Sequence, residues 1–196
     1  NTLSAQAEKK AAAQFESIEK TVKVNQQKVL SAFIKYRVSE ANLGTSTGYG
    51  YGDVGRDTLD KMVADIFHTE DAVIRTTMVS GTHTLCVVLF GILRPNDALL
   101  CVSGTPYDTI HSVIGIDGGK SDGNGTLKDF GVKYEQVDLT ENEEFDIPEI
   151  KKRAAAKNVK MVYIQRSRGY ETRHSFSVDE IGKVCDAVHS VNKDAI

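Results

Sequence analysis

The amino-acid sequence predicts an α/β fold, a mostly parallel sheet flanked by helices and preceded by an N-terminal helical arm. Three observations carry this reading. From residue 72 onward, short apolar runs alternate with stretches of helical periodicity. The run Ala98-Leu99-Leu100-Cys101-Val102 is apolar throughout, as a strand covered on both faces must be. Helical patterns separate the strand-like runs, and parallel neighbours need such crossovers.

Residues 2–20 are rich in Ala, Gln, Glu and Lys, which are good helix formers with only a thin apolar stripe. A second helical segment, 21–38, sets Val24, Val29, Leu30, Phe33 and Ile34 near one face, which suits packing on another body such as a second subunit. Residues 43–55 then hold five glycines and two tyrosines in thirteen positions, so this stretch is a loop. Tyr49 and Tyr51 give it rings and hydroxyls with which to touch a ligand, and Arg56 follows. Asp57 can cap the next helix, where Leu59, Met62, Val63, Ile66 and Phe67 recur at amphipathic spacing.

A strand is expected at 72–78, a helix at 83–93 closed by Arg94-Pro95, and a strand at 98–102. A short helix near 107–114, a Gly-rich excursion at 115–125 and a helical turn at 127–130 follow. Further strands are expected at 133–138 and 159–165, with a helix at 147–157 between them. Ser177-Val178-Asp179-Glu180 has the form of a capping box and opens a helix over 178–192. At Lys193-Asp194-Ala195-Ile196 a new apolar segment begins, and a strand of two residues completes no ladder. The expectation is that the sequence is the front part of a longer protein.

Composition excludes several classes. Net charge is −3 with the two signs interspersed, which leaves no nucleic-acid face. No apolar run approaches the roughly 20 residues of a membrane span. Cys86, Cys101 and Cys185 lie in apolar contexts without metal-ligand spacing, so buried free thiols in a reducing cytoplasm are expected and no metal site. His83 and His111 share no ligand spacing with carboxylates and are expected to form hydrogen bonds instead.

In parallel sheets ligands bind beyond the carboxyl ends of the strands. Three such ends are unusual here. Val79-Ser80-Gly81-Thr82-His83 opens a helix, where free N–H groups and the helix dipole can hold a phosphate, although Ser and Thr are also ordinary caps. Val102-Ser103-Gly104-Thr105 repeats its first four letters and adds Pro106-Tyr107-Asp108. Gln165-Arg166-Ser167-Arg168-Gly169-Tyr170 forms a polar, cationic cluster after Met161-Val162-Tyr163-Ile164. Together they imply a site for an anionic ligand. Gly118-Gly119-Lys120-Ser121 imitates a P-loop, but Ile114 stands where that motif needs Gly. Gly48, Gly50 and Gly52 lack the spacing of a dinucleotide fingerprint.

Three motifs, Thr47–Leu59, Val79–His83 and Gln165–Glu171, resemble the methionine gamma-lyase-like family, also labelled aluminium resistance or cystathionine beta-lyase-like proteins. The resemblance runs from about residue 15 to the end. It implies a pyridoxal-phosphate enzyme of the aspartate-aminotransferase fold type, with residues 1–56 as arm and Gly/Tyr-rich loop. Residues 57–196 would be the cofactor-binding large domain, truncated before its catalytic lysine. By the same resemblance, Ser80, Gly81, Thr82 and His83 would surround the cofactor phosphate, and Tyr107 would stack on its ring. Arg166, Ser167 and Arg168 would lie near the 3′-oxygen and the substrate carboxylate. Tyr51, with Tyr49, would reach the phosphate from the neighbouring subunit of a homodimer or homotetramer. Asp53 stands where related enzymes have an arginine, which leaves Arg56 as the nearest cation there.

No residue of this chain matches the Schiff-base lysine, which is expected after Ile196, so the fragment alone is expected to be inactive. The implied reaction is beta- or gamma-elimination of a thiol from a sulfur-containing amino acid. The alternatives under the same cofactor are an aminotransferase or desulfurase, or a non-catalytic pyridoxal-phosphate-binding stress-response protein.

Overall fold

β1 (Ala98–Cys101) is the middle strand of a three-stranded parallel sheet, between β2 (Lys133–Gln136) and β3 (Val159–Tyr163). Ala98 stands opposite Lys133 on one side and Val159 on the other, with a register irregularity towards β3 between Ala98 and Leu99. All four β1 residues are fully buried, and they divide by the two-residue period of a strand. Ala98, Leu100 and Val102 pack with Ile150 and Ala154 of α5 (Ile147–Ala154) and Val184 and Val188 of α6 (Val178–His189). Leu99 and Cys101 pack with Leu89 of α3 (Gly81–Ile92) and Ile110 and Ile114 of α4 (Asp108–Ile114). Each buried leucine contributes about 1.5–3 kcal/mol through this coverage. Burial also pushes the Cys101 thiol up to about 12. Cys86 is only half-buried and Cys185 is exposed, so one of the three expected buried thiols is found.

This computed structural model describes residues 2–49, 51–116 and 123–196. Gly50 and the P-loop-like Gly118-Gly119-Lys120-Ser121 lie outside the described residues. The chain divides into two compact units, Asn1–Met78 and Val79–Ile196, and the sheet belongs to the second. In that unit, local sequence starts the helices as read. Ser177 accepts from the Glu180 N–H at 3.2 Å while Glu180 accepts from the Ser177 N–H at 2.7 Å, completing the capping box of α6. Asp146 caps α5 by accepting from the Glu149 N–H, with Pro148 in the first turn. Ile196 donates to the Lys160 carbonyl and accepts from the Val162 N–H, the pattern of a parallel neighbour of β3.

The first unit is helical. α1 (Thr2–Lys35) is one helix of 34 residues rather than the two segments expected, since nothing between residues 20 and 21 breaks it. Only Ala32 of it is buried, and Phe15, Ile18, Val22, Leu30 and Ile34 are exposed. α2 (Val54–Phe67) is capped by Asp53, which accepts from the Arg56 N–H at 3.0 Å, and not by Asp57, which falls inside the first turn.

The strand expected at 72–78 does not form. Its backbone is engaged locally: the Ala72 N–H donates to Asp71, the Ile74 N–H to Asp60, and the Met78 N–H to the Arg75 carbonyl in a turn. Arg75 also grips both oxygens of Asp60 at 2.8 Å. A strand needs a neighbouring backbone, and among the described residues this segment has none. The β-branched composition of 72–78 reported only that it could extend.

Candidate cofactor site

Ser80 is the N-cap of α3: its hydroxyl accepts from the His83 N–H at 3.1 Å and its carbonyl from the Thr84 N–H at 3.0 Å. The capping role therefore holds. It leaves the two N–H groups that the cap does not reach. Among the described residues, the Gly81 and Thr82 N–H groups have no acceptor. They stand at the first turn of a twelve-residue helix, where the dipole adds about half a positive charge. A Cβ added at Gly81 would meet nothing within 4 Å, so the backbone there is open to a ligand. His83 accepts from the Val79 N–H through Nδ1, and the Thr82 hydroxyl reaches Thr109 at 3.2 Å. That contact joins the start of α3 to α4, next to Tyr107.

The second Ser-Gly-Thr string is built differently. Gly104, at φ +78°, donates its N–H to the Val137 carbonyl, and the buried Ser103 hydroxyl accepts from the Gln165 N–H at 2.9 Å. The Thr105 hydroxyl donates to Gln136, and the Tyr107 N–H to the Gln165 side-chain oxygen at 2.6 Å. The glycine N–H and both hydroxyls are thus engaged within the protein, and the string braces the loop that carries Tyr107.

At the end of β3, Arg166 turns inward to the Phe176 carbonyl through Nε at 2.9 Å. Arg173, nearly fully buried, ties down the loop before it: Nη2 donates to the carbonyls of Gln165 and Ser167, and Nη1 to that of His174. Its guanidinium lies 4.4 Å from the centre of the Phe176 ring, and burial pulls its pKa below the ordinary value. Gly169, at φ +58°, seats bare backbone against the Tyr107 ring, and the Tyr170 ring stacks on it at 5.9 Å and 29°. The neighbouring Tyr170 hydroxyl raises the Tyr107 phenol above its usual range. Tyr107, His111, Gln165, Arg168 and Tyr170 line a cavity of about 350 Å³ on this rim.

The sequence profile of the family described as Methionine gamma-lyase matches residues 1–196. This chain belongs to the methionine gamma-lyase family. It is similar to the uncharacterized protein YnbB of Bacillus subtilis (strain 168), 42% identical over 181 residues, which covers 91% of this chain and 42% of that one. Among solved structures, it resembles a carbon–sulfur lyase involved in aluminum resistance from Clostridium novyi NT. That match has 42% identity and a TM-score of 0.92, over 100% of this chain and 46% of the other. A Clostridium acetobutylicum protein, provisionally named a cystathionine beta-lyase involved in aluminum resistance, matches at 40% identity and TM-score 0.92, over 98% and 45%. The chain thus spans somewhat under half the length of these relatives.

Within this methionine gamma-lyase family chain, the residues singled out from sequence fall in both units. Ser80–His83, Tyr107 and Arg166–Arg168 belong to the second unit; of these, Tyr107 and Arg168 line the cavity, and the head of α3 is tied towards it through Thr82 and Thr109. Tyr49, Tyr51 and Arg56 belong to the first. Both tyrosines are exposed, at 82% and 90%. Arg56 is held 3.4 Å from Asp53, whose carboxyl lies below its ordinary pKa chiefly because it accepts from the Arg56 N–H. Sequence reasoning named Gln165 in the cluster at the third strand end without giving it a role, and missed Thr109 and Arg173 as parts of the site's framework. Gln165 stood at a strand end, which was a usable signal; Arg173 lay in a polar loop and carried none.

Proposed function

We propose that the protein is a pyridoxal-phosphate-dependent carbon–sulfur lyase, acting on a sulfur-containing amino acid by beta- or gamma-elimination. The unpaired N–H groups of Gly81 and Thr82 at the head of α3 carry this reading. They fit a phosphate by geometry and by charge. The exposed Arg168 guanidinium and the Tyr107 ring, which line one cavity, fit the rest of such a ligand, a carboxylate and an aromatic face.

Bound there, pyridoxal 5′-phosphate would supply the electron sink that lets a proton leave the amino acid's alpha carbon. The chain's own residues bind and orient. Gly81 and Thr82 hold the phosphate, Ser80 and His83 shape its turn, and Tyr107 covers one face of the ring. Arg168 draws in the substrate carboxylate, with Ser167 beside it, while Arg166 fixes the loop. In a homodimer or homotetramer, Tyr51, Tyr49 and Arg56 of a neighbouring subunit would close the phosphate side. A proton-shuttling lysine would be needed besides these residues. Free thiols and no helix, among the described residues, long and apolar enough to cross a membrane agree with a cytoplasmic site of action.

Full-length protein should take up pyridoxal phosphate with a visible absorbance band. Given a thioether amino acid, it should release a thiol, ammonia and a keto acid in equal amounts. Conversion of the bound cofactor to its amine form without thiol release would instead indicate an aminotransferase. Uptake without turnover would indicate a cofactor-binding stress-response protein, and no uptake would end the cofactor reading.

A further inference from the structure

We infer that Gln165 is a positioning residue: it sets the place of the Tyr107 ring, and through it the stacking surface offered to the cofactor. This rests on the cofactor reading above. All the hydrogen-bonding groups of Gln165 are engaged. Its N–H donates to the Ser103 hydroxyl at 2.9 Å and its carbonyl accepts from Arg173 at 3.1 Å. Both of those partners are 5% exposed, so the backbone of Gln165 is pinned between two buried anchors. The side chain then spans the gap between two strand ends. Its Oε1 accepts from the Tyr107 N–H at 2.6 Å, and its Nε2 donates to the Ser167 carbonyl at 3.2 Å.

Tyr107 follows Pro106, which has no N–H, and its carbonyl accepts from the Ile110 N–H of α4 at 2.9 Å, with no cap from its side chain. Its N–H is held from the 165 side alone. Its ring is met from the same segment: a Cβ at Gly169 would lie 3.0 and 3.1 Å from ring carbons Cδ2 and Cε2. One short stretch, 165–169, holds both the peptide and the ring of Tyr107. A side chain that merely tied two loops would not need bare backbone fitted to an aromatic face. Stacking geometry changes with small displacements, so the ring's placement is felt by anything that lies on it.

The test uses the full-length protein with 3-fluorotyrosine at position 107. Gln165→Leu removes both side-chain bonds, Gln165→Glu keeps an acceptor for the Tyr107 N–H, and Gly169→Ala presses on the ring. In the apoprotein, the fluorine resonance should move in Gln165→Leu and in Gly169→Ala and return towards its original position in Gln165→Glu. In the same order, pyridoxal phosphate should bind about 10-fold more weakly with an altered visible circular dichroism, then recover. An unmoved fluorine signal, or unchanged cofactor affinity and dichroism with only a lowered Tm, overturns the inference. If the unaltered protein takes up no cofactor, the functional reading fails, and the fluorine signal alone still decides whether Gln165 sets the ring.

Discussion

Ser80 and Ser103 begin identical strings, Ser-Gly-Thr, yet the two are used in opposite ways. Around Ser80 the Gly81 and Thr82 N–H groups stay open. Around Ser103 the glycine N–H goes to Val137 and the hydroxyl to Gln165. The letters are equal; the partners, 33 and 62 positions away, are not. For the same reason the open N–H pair at the head of α3 could be read locally, while the joint of Gln165 with Ser103 and Tyr107 could not, since those partners are brought near only by folding. Gly81 permits a residue-scale prediction. Gly81→Val should weaken pyridoxal-phosphate binding by about 10-fold or more, because side-chain carbons would crowd the open N–H pair. Stability should change by no more than about 0.5 kcal/mol, since nothing lies within 4 Å. Titration of the apoprotein together with urea unfolding checks both halves. Lost stability with intact affinity would reduce Gly81 to a helix-start residue.

At the scale of elements, β1 was readable because a continuous apolar run leaves one solution, burial on both faces. The 72–78 run shows the limit of such reading: its composition permits a strand, but its polar backbone is spent on Asp71, Asp60 and a turn. Leu100→Ala should cost about 2–5 kcal/mol in urea unfolding, as Leu100 lies fully buried under α5 and α6. α6 offers a pH test. Its Glu180 is lowered from 4.5 to about 2, first by the hydrogen bonds from Ser177 and then by His174. A depressed carboxyl stabilises the fold above its unfolded pKa, and that contribution disappears as pH falls from about 4.5 to about 2. Urea midpoints of the native protein should therefore fall more steeply across that interval than those of Glu180→Gln. Parallel curves would refute the capping assignment.

For the whole molecule, the α/β class was legible in the alternation of apolar runs with helical patterns, and the family in three well-separated motifs that occur in one order. The helical first unit was less so, since a long amphipathic helix with an exposed stripe has no internal partner to define its ends. Cofactor binding should act on the molecule as a whole. A ligand held only by the native state stabilises it by about 2.7 kcal/mol at 100 times its Kd. Stripping pyridoxal phosphate from the full-length protein should therefore lower Tm, and unphosphorylated pyridoxal should restore far less than the phosphate ester does. Equal protection by both would mean that the head of α3 contributes nothing.

The burial of Cys101 has a practical consequence. Alkylating reagents attack thiolates, and this thiol is both sealed in the middle strand and held up to about 12. Cys185, on the surface, should be labelled at once, and half-buried Cys86 more slowly. Cys101 can react only when β1 leaves its neighbours, so its labelling rate, read by peptide mass spectrometry, clocks the opening of the sheet. The protein carries its own stopwatch for unfolding, one that needs no substitution.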